Sequence, residues 1–188
     1  MEDLVKVELR YSEDGKMWFP TEEYKHALMI DLAKRFGLAR FIETGTCEGH
    51  GVDFAKDHFS EVYSIELAKH YYQAAVEKFK SARNVSFIQG DSAVQLEKLL
   101  NSLPKVPTLF YLDAHFSGGK TVGRDHLPLQ AELKTILGSK VEGIVLIDDC
   151  VPWWDYGIPE IAEKTVLEYF PNWQFEIKAG MGRVWRQS

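Results

Sequence analysis

The chain has 188 residues, 45% of them hydrophobic, and carries 22 basic against 28 acidic side chains for a net charge of −6. That size suits one domain, residues 1–188, with a full core, and the acidic balance disfavours a nucleic-acid backbone as partner, since such binders present a basic face. No apolar run reaches the roughly 18 residues of a membrane span, no basic-then-apolar leader opens the sequence, and two cysteines make no disulfide framework, so a cytoplasmic setting is the expectation. In chain order, LVKVELRY alternates apolar and polar residues and predicts an exposed strand or hairpin arm. Thr21 is placed to cap a helix with Glu22 and Glu23 in its first turn. Tyr24, Leu28, Leu32 and Phe36 recur at one-turn spacing, and Gly37 ends the pattern. Residues 1–39 thus form an N-terminal strand and helix extension ahead of a core over 40–188.

From Arg40 strands and helices alternate. ARFIETG predicts a strand entering a glycine turn, followed by a helix through Val52, Phe54 and Ala55. EVYSIEL is a second strand, and Ala68 to Ala82 a helix with Tyr72, Val76 and Phe79 on one stripe. VSFIQGD is a third strand, with Ser92 and Gln95 in a capping-box pattern before Leu96, Leu99, Leu100 and Leu103. PTLFYLDA is a fourth, then a polar, glycine-rich loop over Phe116 to Leu127. Pro128 suits the first turn of a helix through Leu133, Ile136 and Leu137. EGIVLIDD is a fifth strand, followed by an aromatic loop and a helix ending near Phe170. WQFEIKA and GRVWRQ close the chain, paired through a Gly180-Met181-Gly182 turn. This alternation predicts an α/β fold: a Rossmann-like, doubly wound, mostly parallel seven-stranded sheet with an antiparallel C-terminal strand.

In open sheets of this kind, ligands sit beyond the carboxyl ends of the strands. Here those ends carry Glu43-Thr44-Gly45, Glu66, Asp91-Ser92, Asp113-Ala114-His115 and Asp148-Asp149. A capped helix or a solvated acid explains one or two of these. Five together point to a shared ligand site. Glu43-x-Gly45-x-x-x-Gly49 is a glycine turn at a strand-to-helix junction, yet it lacks the dinucleotide spacing. An acidic rim suits a cationic nucleoside better than a phosphorylated one, which points to S-adenosylmethionine.

At these same residues a resemblance appears. FIETGTCEGHG resembles motif I of the class I S-adenosylmethionine-dependent methyltransferases, IEL their acidic motif II, and GDS their adenine-side motif. YLDAH and IVLIDD resemble motifs IV and V. The likeness runs from about Arg40 to the C-terminus and is nearest to metal-dependent sugar O-methyltransferases of natural-product and bacterial glycan pathways. It implies that Glu43, Gly45 and Thr46 hold the amino-acid end of the cofactor, Glu66 the ribose, and Asp91 and Ser92 the adenine, with Gly49 of the glycine turn also cofactor-binding. It implies that Asp113, Asp148 and Asp149 bind Mg²⁺. His115 stands where that subgroup has an aspartate base, so His115 and Asp113 are the candidate catalytic pair. The implied acceptor is a small molecule with a hydroxyl, such as a sugar, and the implied product is S-adenosylhomocysteine. No nucleic acid or membrane partner is expected, and the extension before Arg40 covers the sheet or makes a homo-oligomer contact.

The chemistry is consistent with these roles. Three carboxylates without a thiol cluster make a hard oxygen site suited to Mg²⁺. A metal ion lowers the pKa of a bound hydroxyl, and a histidine titrates near neutral pH. In a metal-independent variant His115 alone would act. Two rivals remain open. Ala114 to Thr121, AHFSGGKT, fits a loose phosphate-loop pattern with Asp148 as its magnesium acid, which would make an NTPase, although VGRDHLP rather than a helix follows it. A catalytically silent nucleoside-binding domain could share the fold. Lys120 and Arg124 in the loop, and Trp153, Trp154 and Tyr156 after the fifth strand, could face the acceptor or only water and core. Cys47 and Cys150 read as small buried filler.

Overall fold

A computed structural model describes residues 9–11, 18–114, 127–151 and 157–186. Two short strands, β1 (Leu9–Tyr11) and β2 (Trp18–Pro20), pair antiparallel as a small hairpin. Helix α1 (Glu22–Phe36) follows, and its start agrees with the sequence: the Tyr24 N–H donates to Thr21 Oγ1 at 3.2 Å. Its end agrees too, with Gly37 left-handed at φ 61°. The buried face is Tyr24, Leu28, Met29 and Leu32. Phe36 is exposed instead of completing the stripe, because the helix stops there.

The core then alternates as expected: β3 (Arg40–Thr44), α2 (His50–Ala55), β4 (Glu61–Glu66), α3 (Lys69–Lys78), β5 (Val85–Gln89), α4 (Ser92–Ser102) and β6 (Thr108–Leu112). It continues through α5 (Leu129–Gly138), β7 (Gly143–Ile147), α6 (Ile158–Tyr169), β8 (Trp173–Lys178) and β9 (Met181–Arg186). The sheet order is β5-β4-β3-β6-β7-β9-β8. Strands β3 to β7 pair parallel, while β9 pairs antiparallel with both β7 and β8. Six strands therefore run one way and β9 the other, which is the predicted α/β sheet.

Side chains alternate across each strand, so the sheet has two apolar faces. Phe41, Val62, Leu109, Tyr111, Ile144 and Leu146 meet α1, α2 and α3 on one face. Ile42, Ile65, Phe110, Leu112, Val145 and Ile147 meet α4, α5 and α6 on the other. Each such side chain, fully buried, contributes on the order of 1.5–3 kcal/mol. A polar bond also ties helix α1 to the sheet: the buried Arg183 of β9 donates from Nη2 to the Tyr24 hydroxyl at 2.7 Å. That bond sets which face of α1 looks toward the strand ends.

Four local expectations need correction. Asp91, not Ser92, caps α4, accepting from the Ala93 N–H at 3.0 Å. The β8–β9 turn uses Ala179 and Gly180, both at positive φ, while Met181 and Gly182 lie inside β9. Helix α3 is shorter than Ala68 to Ala82, and its inward residues are Ala75 and Phe79 while Val76 is exposed. Cys150 is buried as expected, but Cys47 is exposed. No helix among the described residues is long and apolar enough to cross a membrane.

Candidate functional site

The chain leaves β3 toward β4 on one side and later adds β6 and β7 on the other. The strand order thus reverses between β3 and β6, the place where open α/β sheets bind ligands. A cleft of about 220 Å³ opens there. Glu43, Gly45 and Thr46 form one wall, Tyr111, Asp113 and Asp148 another. The third wall comes from α1, through Glu22, Lys25, His26 and Met29. These four sit at i, i+3, i+4 and i+7, so one face of the helix reaches the cleft while Tyr24, Leu28 and Leu32 pack below.

Gly45 explains how β3 and β6 come close enough. It has φ 87°, and a Cβ there would lie 2.5 Å from the Asp113 carbonyl oxygen. Glu43 is next to it and buried. Ser64 Oγ donates to Glu43 Oε2 at 2.7 Å, and the Thr46 and Ser64 hydroxyls are 2.6 Å apart. Burial pushes the Glu43 carboxyl up to about 8, against the Ser64 hydrogen bond and aided by repulsion from Asp113 and Glu66. At neutral pH it is mostly protonated.

Other expected residues stand elsewhere. Glu66 accepts the Cys47 N–H at 2.9 Å and the Ala68 N–H at 2.7 Å, which ties the β3 turn to the end of β4. Gly49 faces the Phe79 ring, and a Cβ there would lie 2.7 Å from it. Asp91 caps α4, and Ser92 is buried behind the sheet end. Asp149 is turned, at φ 50°. None of these five lines the cleft. His115, Lys120 and Arg124, the rest of the AHFSGGKT stretch after Ala114, and Trp153, Trp154 and Tyr156 lie outside the described residues.

The three acids expected to bind Mg²⁺ do not form an ion site. Asp148 is 4% exposed and already has a cation: Lys25 Nζ lies 2.6 Å from Oδ2. The Tyr111 hydroxyl donates to the same oxygen, and the Asp149 N–H donates to Oδ1 at 2.9 Å. Burial alone would lower the Lys25 pKa, but Asp148 with Glu22 and Asp113 holds it above the usual lysine range. Burial, then the Asp148 charge, raises the Tyr111 hydroxyl well above its ordinary value. Both groups stay protonated, as donors. Among the described residues no cluster of three metal-binding side chains occurs.

Sequence reasoning missed Lys25, Tyr111 and Glu132. Tyr111 reads as an apolar strand residue until its hydroxyl is placed. Glu132 lies on α5, 1% exposed, behind the end of β3. Burial pushes its carboxyl up to about 7 despite the neighbouring Ser92 and Thr44 hydroxyls, and Asp91 and Asp113 push the same way. A signal for Lys25 does exist in the sequence: the polar stripe 22, 25, 26 on a helix whose other face is apolar.

These two acids predict a pH dependence. Each has a folded-state pKa above its unfolded value of 4.5, so its contribution to stability is complete below 4.5 and lost as pH rises through about 7 for Glu132 and about 8 for Glu43. The melting temperature of the ligand-free protein is expected to fall between pH 5 and 8. Glu132→Gln should flatten that fall, and a profile that rises across this window would contradict both assignments.

No protein-family model matches the chain, and no curated protein matches it by sequence. Solved structures do match its shape. The SAH-bound methyltransferase PaMTH1 of Podospora anserina aligns with TM-score 0.63 at 21% identity, over 95% of this chain and 83% of that one. The chain has a methyltransferase fold. The O-methyltransferase TomG of Streptomyces achromogenes, involved in tomaymycin synthesis and solved with SAM, aligns with TM-score 0.63 at 14% identity, over 87% of this chain and 80% of that one. The 23S rRNA methyltransferase ErmE aligns with TM-score 0.51 at 17% identity, over 86% of this chain and 68% of that one. Small-molecule and RNA enzymes share this architecture, so the fold leaves the acceptor open.

Proposed function

We propose that this protein is an S-adenosylmethionine-dependent methyltransferase acting on a hydroxyl of a sugar or similar small acceptor. The observation that carries the reading is the acid-walled cleft at the β3–β6 reversal, where Gly45 brings the β3 turn against the Asp113 backbone beside the buried, protonated Glu43. A cationic ligand fits such a wall, because its charge lets Glu43 ionise. Glu43, Gly45 and Thr46 would hold the amino-acid end. Each oxygen of Glu66 accepts one backbone N–H and keeps a lone pair for a ribose hydroxyl. Asp91 and Ser92 are the candidate adenine contacts at the end of β5.

When bound, S-adenosylmethionine supplies an electrophilic methyl group on a positive sulfur. The acceptor oxygen would form the new C–O bond as the C–S bond breaks, leaving S-adenosylhomocysteine, and the hydroxyl proton would pass to Asp113 or to the candidate base His115. Positioning of the two reactants supplies much of the rate. The small cleft and the net charge of −6 support a small acceptor over RNA. No step runs through Mg²⁺, since Lys25 and Tyr111 occupy Asp148 Oδ2.

Saturating S-adenosylmethionine is expected to raise the melting temperature by about 5–10 °C, since a ligand at 100 times its Kd adds about 2.7 kcal/mol and a chain of this size gains about 2–4 °C per kcal/mol. ATP should give no shift. A shift with ATP and none with S-adenosylmethionine would overturn the reading in favour of an NTPase.

A further inference from the structure

The family resemblance implies a divalent ion at the ends of β6 and β7, and the structure places a lysine there. Asp148 Oδ2 receives both Lys25 Nζ, at 2.6 Å, and the Tyr111 hydroxyl. An ionised carboxylate oxygen has about two lone-pair sites, so Oδ2 has none left for a metal. A Mg²⁺ ion binds carboxylate oxygen at about 2.1 Å, which would set it within about 5 Å of the ammonium on the same oxygen. Oδ1 is held by the Asp149 N–H at 2.9 Å. Asp149 itself does not line the cleft, and Asp113 does. One of the three expected ligands therefore carries an ammonium ion, and a second stands outside the cleft.

We propose that Lys25, delivered by the N-terminal helix α1, is the resident cation of this site: held by Asp148 beside Tyr111, it takes the place a divalent ion would occupy and stabilises the negative charge that develops on the acceptor oxygen. Transfer is then metal-independent. An ammonium ion has three donors. Among the described residues, Asp148 at 2.6 Å and Glu22 at 3.3 Å account for two. The third serves the acceptor oxygen, a neutral hydroxyl that turns anionic as its proton leaves. The helix that seals the cleft also completes it, which gives residues 22–36 a role beyond covering the sheet.

This assignment takes its chemical meaning from the methyltransferase reading, but its test does not need the cofactor. Ligand-free protein is titrated with Mn²⁺ and free Mn²⁺ is followed by electron paramagnetic resonance. The wild-type chain is expected to bind no stoichiometric Mn²⁺ up to about millimolar concentration, and EDTA should leave its S-adenosylmethionine-induced melting shift unchanged. Lys25→Met, checked for folding by circular dichroism, should bind Mn²⁺ at least tenfold more tightly than wild type because Asp148 regains its lone pair. Stoichiometric Mn²⁺ binding by the wild type, or a folded Lys25→Met chain without that gain, overturns the proposal. The wild-type titration decides the matter even where the variant does not fold. Absence of S-adenosylmethionine binding, measured separately, would sink the methyltransferase reading and leave the cation assignment standing.

Discussion

Gly45→Ala is expected to weaken S-adenosylmethionine binding by about 100-fold or more and to lower stability by about 1–3 kcal/mol, the cost of a left-handed non-glycine residue. Two effects combine at this position. The backbone has φ 87°, a conformation L side chains rarely adopt, and the added Cβ would lie 2.5 Å from the Asp113 carbonyl oxygen and 3.1 Å from the Ala114 nitrogen. The obstacle is backbone, so no rotamer change relieves it. Either the β3 turn or the end of β6 must retreat, and both are walls of the cleft. Gly37→Ala is the matched control. Gly37 is also left-handed, at φ 61°, but nothing lies within 4 Å of its Cβ position. It should cost about 1 kcal/mol of stability with cofactor affinity unchanged. Calorimetric Kd values for both variants separate the two effects. Equal affinity in Gly45→Ala and wild type would mean the cofactor does not use this turn.

What was legible in the sequence was whatever depends on neighbours in the chain. Thr21 and Gly37 bracket α1 because capping is local, and the β3 to β7 strands are readable because they are short apolar runs between helical stripes. The candidate residues Glu43, Gly45, Thr46, Asp113 and Asp148 come together because every parallel strand points its carboxyl end to the same edge. Long-range pairing was not legible. Lys25 and Asp148 are 123 positions apart, and nothing in either local sequence signals that the two meet. The same holds for Arg183 and the Tyr24 hydroxyl, 159 apart, the bond that turns this face of α1 toward the cleft. The capping box at Ser92 failed for a local reason: Asp91 offers a carboxylate one residue earlier, and a charged acceptor at a helix N-terminus is favoured by the dipole.

Lys25→Met is expected to destabilise the protein by about 3–5 kcal/mol, a drop of roughly 10 °C or more in melting temperature, because it strands a buried carboxylate. The lysine side chain is 12% exposed and Asp148 4%, so solvent screens the pair little. Among the described residues Asp148 would keep the Tyr111 hydroxyl and the Asp149 N–H, which are neutral donors. Asp148→Asn removes the charge from the other side. It should cost less, since Lys25 retains Glu22 at 3.3 Å and that partner is half exposed. The double variant Lys25→Met/Asp148→Asn then discriminates. Removing both charges leaves a neutral amide beside Tyr111, and stability should recover to within about 2 kcal/mol of wild type, a coupling of several kcal/mol between the two positions. Denaturant unfolding of the four proteins at one pH measures it. Simple additivity would mean that the lysine acts only through the packing of its side chain, and its place as the cation of the cleft would fall with the pair.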